Sequence, residues 1–562
     1  MMAAAIRAGD SPAHGAAPAQ KARQAAQPSR LVLRLLLTGG LAVRLILFHH
    51  TDISRTLQDR PELSTPVNSW RALRELDYLY HNPSTVAYPP SSPFLGGSSG
   101  STLYSTDTVH HSPLLLPLLH VPLAQAQAGK SLWLASLIWS MADLVSAELL
   151  FHICAKREKT RIARQNSVWP WDRSRANIIA ALFLFNPYTL ATCLSRSSAP
   201  LEIATLLTSV YAAMSASALL GSLSWAAASL LSLYPVLMLP LLIQLTTLRA
   251  GELVYDKEID RINNAARADK PGVTRRAGFL VDRIRSAKRW AVVRSLILYP
   301  SALVAGLYLS RAIVLSRGRS DLPALFEALK SSATLHGSAG WEWTEQVYGT
   351  QLLMTDLTPN LGLWWYFFME IFDHFRDFFL LTFNVHVASY ALPFMIKYRQ
   401  DPLFGITLMT GVFAVFKSYP TLGDHAVFLS LLSLHSQIFE YLRYPLISAL
   451  IYIYCTFLSP AFHHLWLTAG SANANFFYAI TLVWALGGGM LVLDAMWAWG
   501  RERWEAERKP IRRPRDSAKD VATPFAVSVN GAVGGDTEAV SDVSSSSTKN
   551  TSITAKRIVV QI

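Results

Sequence analysis

The sequence predicts an all-α polytopic membrane protein, a multi-span helical bundle, and three observations carry that expectation. Only 16% of the 562 residues are charged and 51% are hydrophobic, with a mean hydropathy of +0.25. Soluble domains carry about 25% charge. The apolar residues come in repeated runs near the ~20-residue length that a helix needs to cross a bilayer. The 16 Trp, 20 Tyr and 25 Phe are enough for aromatic belts at two interfaces. The net charge of +13 is clustered, and in such a chain clusters report orientation before they report nucleic acid.

Residues 1–30 are rich in Ala, Gln and Pro and predict a disordered cytosolic tail. Leu31–His49 is expected to be a retained first span. Arg34 and Arg44 interrupt it, and no convincing cleavage site follows. The next apolar runs are Leu114–Ala126, Leu132–Cys154, Ala176–Cys193, Leu201–Leu220 and Leu223–Leu248. Then come Ala291–Leu315, Phe375–Ile396, Leu403–Phe416, Leu422–Phe439, Leu446–Leu458 and Phe476–Trp499. One of Leu114–Ala126 and Leu132–Cys154 is expected to lie in the membrane plane or re-enter it. The polytopic domain thus covers residues 31–500, and 501–562 form a basic and then disordered cytosolic tail.

Lys and Arg mark cytosolic connections. They concentrate in Lys156–Arg175, in the basic insert at about 252–290, in Lys397–Arg399 and in Arg501–Arg515. The loops at about 51–111 and 317–359 mix both signs and are assigned to the lumen, with the connections Lys417–Asp424 and Pro460–Asn475. The insert reads as a solvated loop with an amphipathic helix around Leu280–Trp290. The sequon Asn550-Thr551-Ser552 falls in the cytosolic tail on this topology.

Little of the sequence suits catalysis. Cys154, Cys193 and Cys455 lie in or beside apolar runs, with no disulfide framework or metal spacing. The adjacent pairs His110-His111 and His463-His464 point about 100° apart on a helix, so neither pair makes two ligands to one metal. No metal, cofactor or nucleic-acid partner is expected. Glu370, Asp373 and His374 would share a helical face, either as acid, base and ligand or as a polar stripe meeting headgroups or a partner. Asp52, Glu75 and Asp77 are the acids that a glycosyltransferase reading would need in the first lumenal loop.

Uncharged polar groups suit a polyhydroxylated, phosphate-bearing lipid better. The segment His463–Tyr478 concentrates Thr468, Ser471, Asn473 and Asn475 between two apolar runs. Asn473 and Asn475 are also helix-cap residues. Ser232-Leu233-Tyr234-Pro235 and Ser418-Tyr419-Pro420 echo each other, and each Pro frees a carbonyl that needs a partner in a membrane. They are packing kinks or the lining of a cavity.

Several of these stretches together resemble one family. They are Leu184–Thr189, Ser232–Pro235, Asp356–Phe368, Phe416–Asp424 and His463–Leu482, with Trp70-x4-Glu75 and His111-x-Pro113-Leu114. The chain is similar to the phosphatidylinositol-glycan class U subunits of the glycosylphosphatidylinositol (GPI) transamidase, from about Ser64 to Arg501. The resemblance implies a multi-pass subunit of the endoplasmic reticulum membrane. Its bundle resembles membrane-embedded glycosyltransferases that use dolichol-phosphate sugars, with Asn186-Pro187 shared. It also implies a non-catalytic part in the complex. The GPI lipid is recognised here, and a separate cysteine-protease-like subunit cleaves the peptide bond. Lipid-binding positions carry over to Leu231, Ser232, Asn473 and Asn475. Leu231 departs from the polar residue, such as Gln, expected there. An active mannosyltransferase and a purely architectural subunit are the alternatives.

Overall fold

The apolar runs all become helical, and the described residues contain no strand. That follows where lipid leaves no water for unpaired backbone groups. The computed structural model describes residues 29–82, 103–104, 108–165, 172–267, 277–316, 323, 327–330 and 340–508. Residues 1–28, the Gly/Ser-rich stretch Ser91–Ser101, most of 317–339 and the tail with its Asn550 sequon lie outside the described residues. One compact unit runs to Trp504 and holds every feature discussed below.

Among the described residues, seven helices are long and apolar enough to cross a membrane. They are Arg30–His50, Trp133–Glu158, Tyr234–Arg261, Leu280–Leu315, Asp373–Lys397, Pro445–Leu467 and Ala474–Arg508. The pair Ser174–Leu184 and Pro187–Leu194, bent by 46°, is a broken span or a re-entrant loop. Pro187 lacks the N–H to continue the ladder, and the Asn186 side chain caps the new helix by accepting from Tyr188 N–H at 2.9 Å. The protein is an all-α polytopic membrane protein.

Several sequence-based boundaries move. Leu223–Leu248 is not one span. The helix Ala218–Leu231 stops at Ser232, a 3-10 turn covers Tyr234–Met238, and Leu239–Arg267 follows. The helix expected around Leu280–Trp290 forms, but as part of a longer span helix rather than within a separate loop. Leu239–Arg267 and Ala277–Leu315 carry their span helices through most of the basic insert. Leu114–Ala126 is the short element, a 13-residue helix Leu115–Gln127 with Pro122 inside, about 20 Å long. Leu446–Leu458 lengthens to Pro445–Leu467, so the polar connection before the last helix shrinks to Thr468–Asn473. Glu370 and Asp373 do not share a helical face: one helix ends at Glu370, Ile371 is extended, and the next starts at Asp373.

The core runs through most of the bundle. Ala218–Leu231 packs on Ala199–Met214 and on Ala277–Leu315, which also packs on Leu239–Arg267. Pro402–Phe416 is almost wholly buried. At Gly411 an added Cβ would lie 2.6 Å from Val492 and 2.8 Å from Phe428, so only Gly permits that approach.

Charges inside the bundle are paired. Arg44 and Asp143 are 0% and 2% exposed, and the guanidinium donates to Asp143 Oδ2 from Nε at 3.0 Å and from Nη2 at 2.8 Å. Asp494, on the last span, accepts the Arg443 and Tyr444 N–H groups at 2.9–3.0 Å at the start of Pro445–Leu467. The segments assigned to one side by charge also meet one another. At one end His110 reaches Gln346, Tyr80 reaches Ser316, and Leu422 N–H donates to the Glu62 carbonyl. At the other, Arg157 pairs with Asp401 and Arg175 donates to the Leu434 carbonyl.

Two outcomes follow. Asp143→Ala strands a buried guanidinium, which costs about 3–5 kcal/mol. It should lower the melting temperature of the detergent-solubilised protein, followed by size-exclusion chromatography after heating. Replacing Arg44 and Asp143 together by Leu should recover most of the loss. His111 is 1% exposed and donates from Nε2 to the Ser69 carbonyl at 2.7 Å, at the start of helix Trp70–His81. Burial pushes this imidazole from 6.5 down to about 4. Above pH 6.5 the group is neutral in both states. Between 6.5 and 4 the unfolded chain takes up a proton that the folded one refuses, so stability falls as pH falls. From pH 7 to 5 this site alone should remove about 2 kcal/mol. The difference between wild type and His111→Gln in tryptophan-detected melts at the two pH values measures it.

Candidate functional site

The site is built on two interrupted helices that hold each other. Ser232 takes extended angles (φ −147°, ψ 144°) and ends Ala218–Leu231. The freed backbone groups then find side-chain partners. The Tyr348 hydroxyl donates to the carbonyls of Ser229 and Leu230, at 3.2 and 3.4 Å. The Trp225 indole donates to the Pro235 carbonyl at 2.8 Å, and Gln351 Oε1 accepts the Leu233 N–H at 3.3 Å. The second break follows Phe416, where Lys417 turns extended and Ser418 and Tyr419 are buried. Here Trp364 donates to the Phe416 carbonyl at 3.0 Å, and the Tyr419 hydroxyl to the Asp356 carbonyl at 2.6 Å.

The two echoing motifs are in contact. Tyr234 Oη accepts the Ser418 N–H at 2.8 Å and shares a hydrogen bond with Ser418 Oγ at 3.0 Å. They are therefore more than local packing kinks: the first motif supplies an acceptor for a backbone N–H at the second.

A charged group lies beside this clasp. Lys417 Nζ sits 2.7 Å from Asp424 Oδ1, and Asp424 Oδ2 accepts the Thr421 N–H at 2.8 Å. Burial works against the Lys417 charge, but attraction from Asp424 and Glu202 outweighs it and holds the ammonium above its usual range. Ser232 is buried beside Glu202, and both line the same small cavity. Leu231 and Ser232 line a cavity of ≈ 20 Å³ with Asn68, Gln351, Lys417 and Tyr419. That is room for a water molecule, not for a sugar.

Asn473 and Asn475 are not among the residues lining that cavity. Both are exposed at the start of the last helix. Asn473 Oδ1 accepts the Asn475 N–H at 3.1 Å, which makes Asn473 the helix cap. Asn475 does something else: its side-chain oxygen accepts the Tyr366 hydroxyl. An aromatic group surrounds this point. Tyr366 and Tyr478 rings are 4.6 Å apart, and Trp365 packs on Tyr478 and stacks on Trp466. The same segment joins the two halves of the site. The Tyr478 hydroxyl donates to the Leu363 carbonyl at 3.1 Å, and Gly362 lies so close to the second break that a Cβ would meet the Ser418 carbonyl oxygen at 2.9 Å.

The other candidates disperse. Glu370, Asp373 and His374 are exposed across the helix break. Asp52 is exposed, Glu75 accepts the Thr108 hydroxyl at 2.9 Å, and Asp77 is buried beside His81 and His120. The cysteines are all buried and free. The sequence did not single out Tyr348, Gln351 or Lys417 as parts of the site. Only Lys417, flanking Ser418-Tyr419-Pro420 in an apolar setting, carried a visible signal.

Comparisons with known proteins agree over most of the chain. The family model "GPI transamidase subunit PIG-U" matches residues 93–317 and 324–484. The chain is 32% identical over 463 residues to the Saccharomyces cerevisiae "GPI transamidase component GAB1", covering 82% of this chain and 92% of the yeast protein. It is 27% identical over 490 residues to the Homo sapiens "GPI-anchor transamidase component PIGU", covering 84% and 94% of the two chains. A Schizosaccharomyces pombe homologue of the yeast protein is 40% identical over 163 residues, 28% of this chain and 40% of that one. The chain belongs to the PIG-U family of GPI transamidase subunits.

Proposed function

We propose that this chain is a non-catalytic subunit of a GPI transamidase complex in the endoplasmic reticulum membrane, recognising the GPI lipid and presenting it for attachment to protein C-termini. One observation carries the lipid reading. Asn475 is exposed, oriented by Tyr366, and set in an aromatic group of the kind that sits at headgroup depth. It stands at the bundle end where the two breaks converge, and that end faces the lumen in this reading. The carboxamide both donates and accepts, so it serves phosphate and hydroxyl oxygens alike.

Asn475 makes the direct contact and Asn473 supports it as cap. Ser232 and Leu231 form the second wall, met by the lipid at its rim, since their cavity holds no more than a water. Burial of Cys154, Cys193 and Cys455 supports placing bond cleavage on a separate, cysteine-protease-like partner subunit.

The test must separate capping from binding. Asn473→Ser keeps a good cap, so the variant Asn473→Ser with Asn475→Ala should assemble normally. A membrane-level hydrogen bond is worth about 0.6–2 kcal/mol, so lipid affinity should fall about 3- to 30-fold. Surface display of a GPI-anchored reporter should drop accordingly while co-purification of the complex is unchanged. Normal display by the assembled variant would contradict the proposal.

A further inference from the structure

Away from the clasp, Asp77, His81 and His120 form a compact cluster. Asp77 and His81 sit one turn apart on helix Trp70–His81, hence on one face. His120 comes from Leu115–Gln127, which packs on that helix. Each residue offers a ligating atom, and the three atoms lie within 4.8 Å of one another.

Four features set it apart from a chance polar contact. Asp77 is 1% exposed, and among the described residues its ion-pair partners are the two imidazoles alone. Those rings stack at 4.1 Å between centroids. Second, His81 Nδ1 lies 2.9 Å from the Asp77 carbonyl oxygen, which makes it the protonated nitrogen. The lone pair on Nε2 is then free, and that atom is buried without a hydrogen-bond partner. A backbone carbonyl that fixes the tautomer in this way is the usual outer partner of a metal-bound histidine. Third, His120 Nδ1 lies 3.4 Å from Asp77 Oδ1. Ligands about 2.0–2.1 Å from a tetrahedral ion are about 3.3–3.4 Å apart. Fourth, Gln127 donates to Asp77 Oδ2 at 3.0 Å and orients the carboxylate.

We propose that Asp77, His81 and His120 bind one divalent transition-metal ion of the Zn²⁺ type, pinning helix Trp70–His81 to Leu115–Gln127. Two imidazoles and a carboxylate are a borderline donor set that suits Zn²⁺ over Ca²⁺ or Mg²⁺. Three protein ligands leave a fourth position for water or an anionic oxygen. His120, about a third exposed, marks the route by which the ion enters.

The experiment uses the full-length chain in detergent, without a histidine tag, stripped by chelator and reloaded with Zn²⁺ before desalting. Mass spectrometry of the metal should find about one ion per wild-type chain. Asp77→Asn and His120→Gln should each weaken retention at least about tenfold, whereas His463→Gln with His464→Gln should not. Wild type without retained zinc, or Asp77→Asn and His120→Gln retaining as much as wild type, would overturn the site. If both variants fail to give a monodisperse protein, Co²⁺ added to wild type decides. Intense visible bands of a four-coordinate ion support the site, and the faint spectrum of six-coordinate Co²⁺ overturns it.

Discussion

The hydrogen bonds between Tyr234 and Ser418 fix much of the rest of the structure. A helix broken inside a bilayer exposes carbonyls and N–H groups that lipid cannot satisfy. This chain ends helices at Ser232 and at Lys417, and a phenol from the first break, Tyr234, serves the second through Ser418. Other freed groups go to Tyr348, Trp225, Gln351 and Trp364, and Tyr419 donates to the Asp356 carbonyl. Most of these partners come from the segment between 340 and 370 or reach into it. That segment is irregular because it answers to the breaks: it ends one helix in a left-handed residue, Met354 (φ 51°), and presses Gly362 against Ser418. The same segment then carries Tyr366 to Asn475. The proposed lipid contact therefore depends on the clasp through a short chain of named bonds.

Ionisable groups follow the same logic. A lone charge in a membrane costs several kcal/mol, and a pair with good geometry costs far less. Arg44 with Asp143, Asp494 with two backbone N–H groups, and Lys417 with Asp424 each complete a local set. The exposed polar groups at the clasp end of the bundle include the Asn473 and Asn475 amides.

Much of this was legible in the sequence. Run length located the span-length helices but also counted Leu201–Leu220, Leu403–Phe416 and Leu422–Phe439, whose helices Ala199–Met214, Pro402–Phe416 and Leu422–Ser433 are shorter. The repeated Ser and Tyr-Pro flagged both breaks, though nothing in one sequence could show that the two motifs touch. Leu223–Leu248 misled because hydropathy does not register a break: Ser232, Tyr234 and Pro235 are too few to interrupt an apolar average. The expected helix around Leu280–Trp290 is there but continuous with a span. The arm before residue 268 was missed because charge was taken for loop, whereas charged residues propagate a helix well once a span has nucleated it. The Glu370–His374 face assumed a continuous helix, which Ile371 breaks. For the two asparagines, sequence left capping and binding open for both; geometry gives the cap to Asn473 and leaves the Asn475 side chain for other work. Asp77 and His81 carried a visible four-residue spacing, but His120 joins them only through the packing of two helices.

The central claim is that a GPI headgroup rests at the bundle end formed by Asn475, its aromatic neighbours and the edge at Ser232. A density map of the assembled complex with GPI lipid bound tests it most directly. Headgroup density is expected in hydrogen-bonding range of the Asn475 carboxamide and against the Leu231–Ser232 edge, with acyl chains running along the bundle. Headgroup density seated on another subunit or at the opposite end of this bundle, with Asn475 facing only solvent, would contradict it.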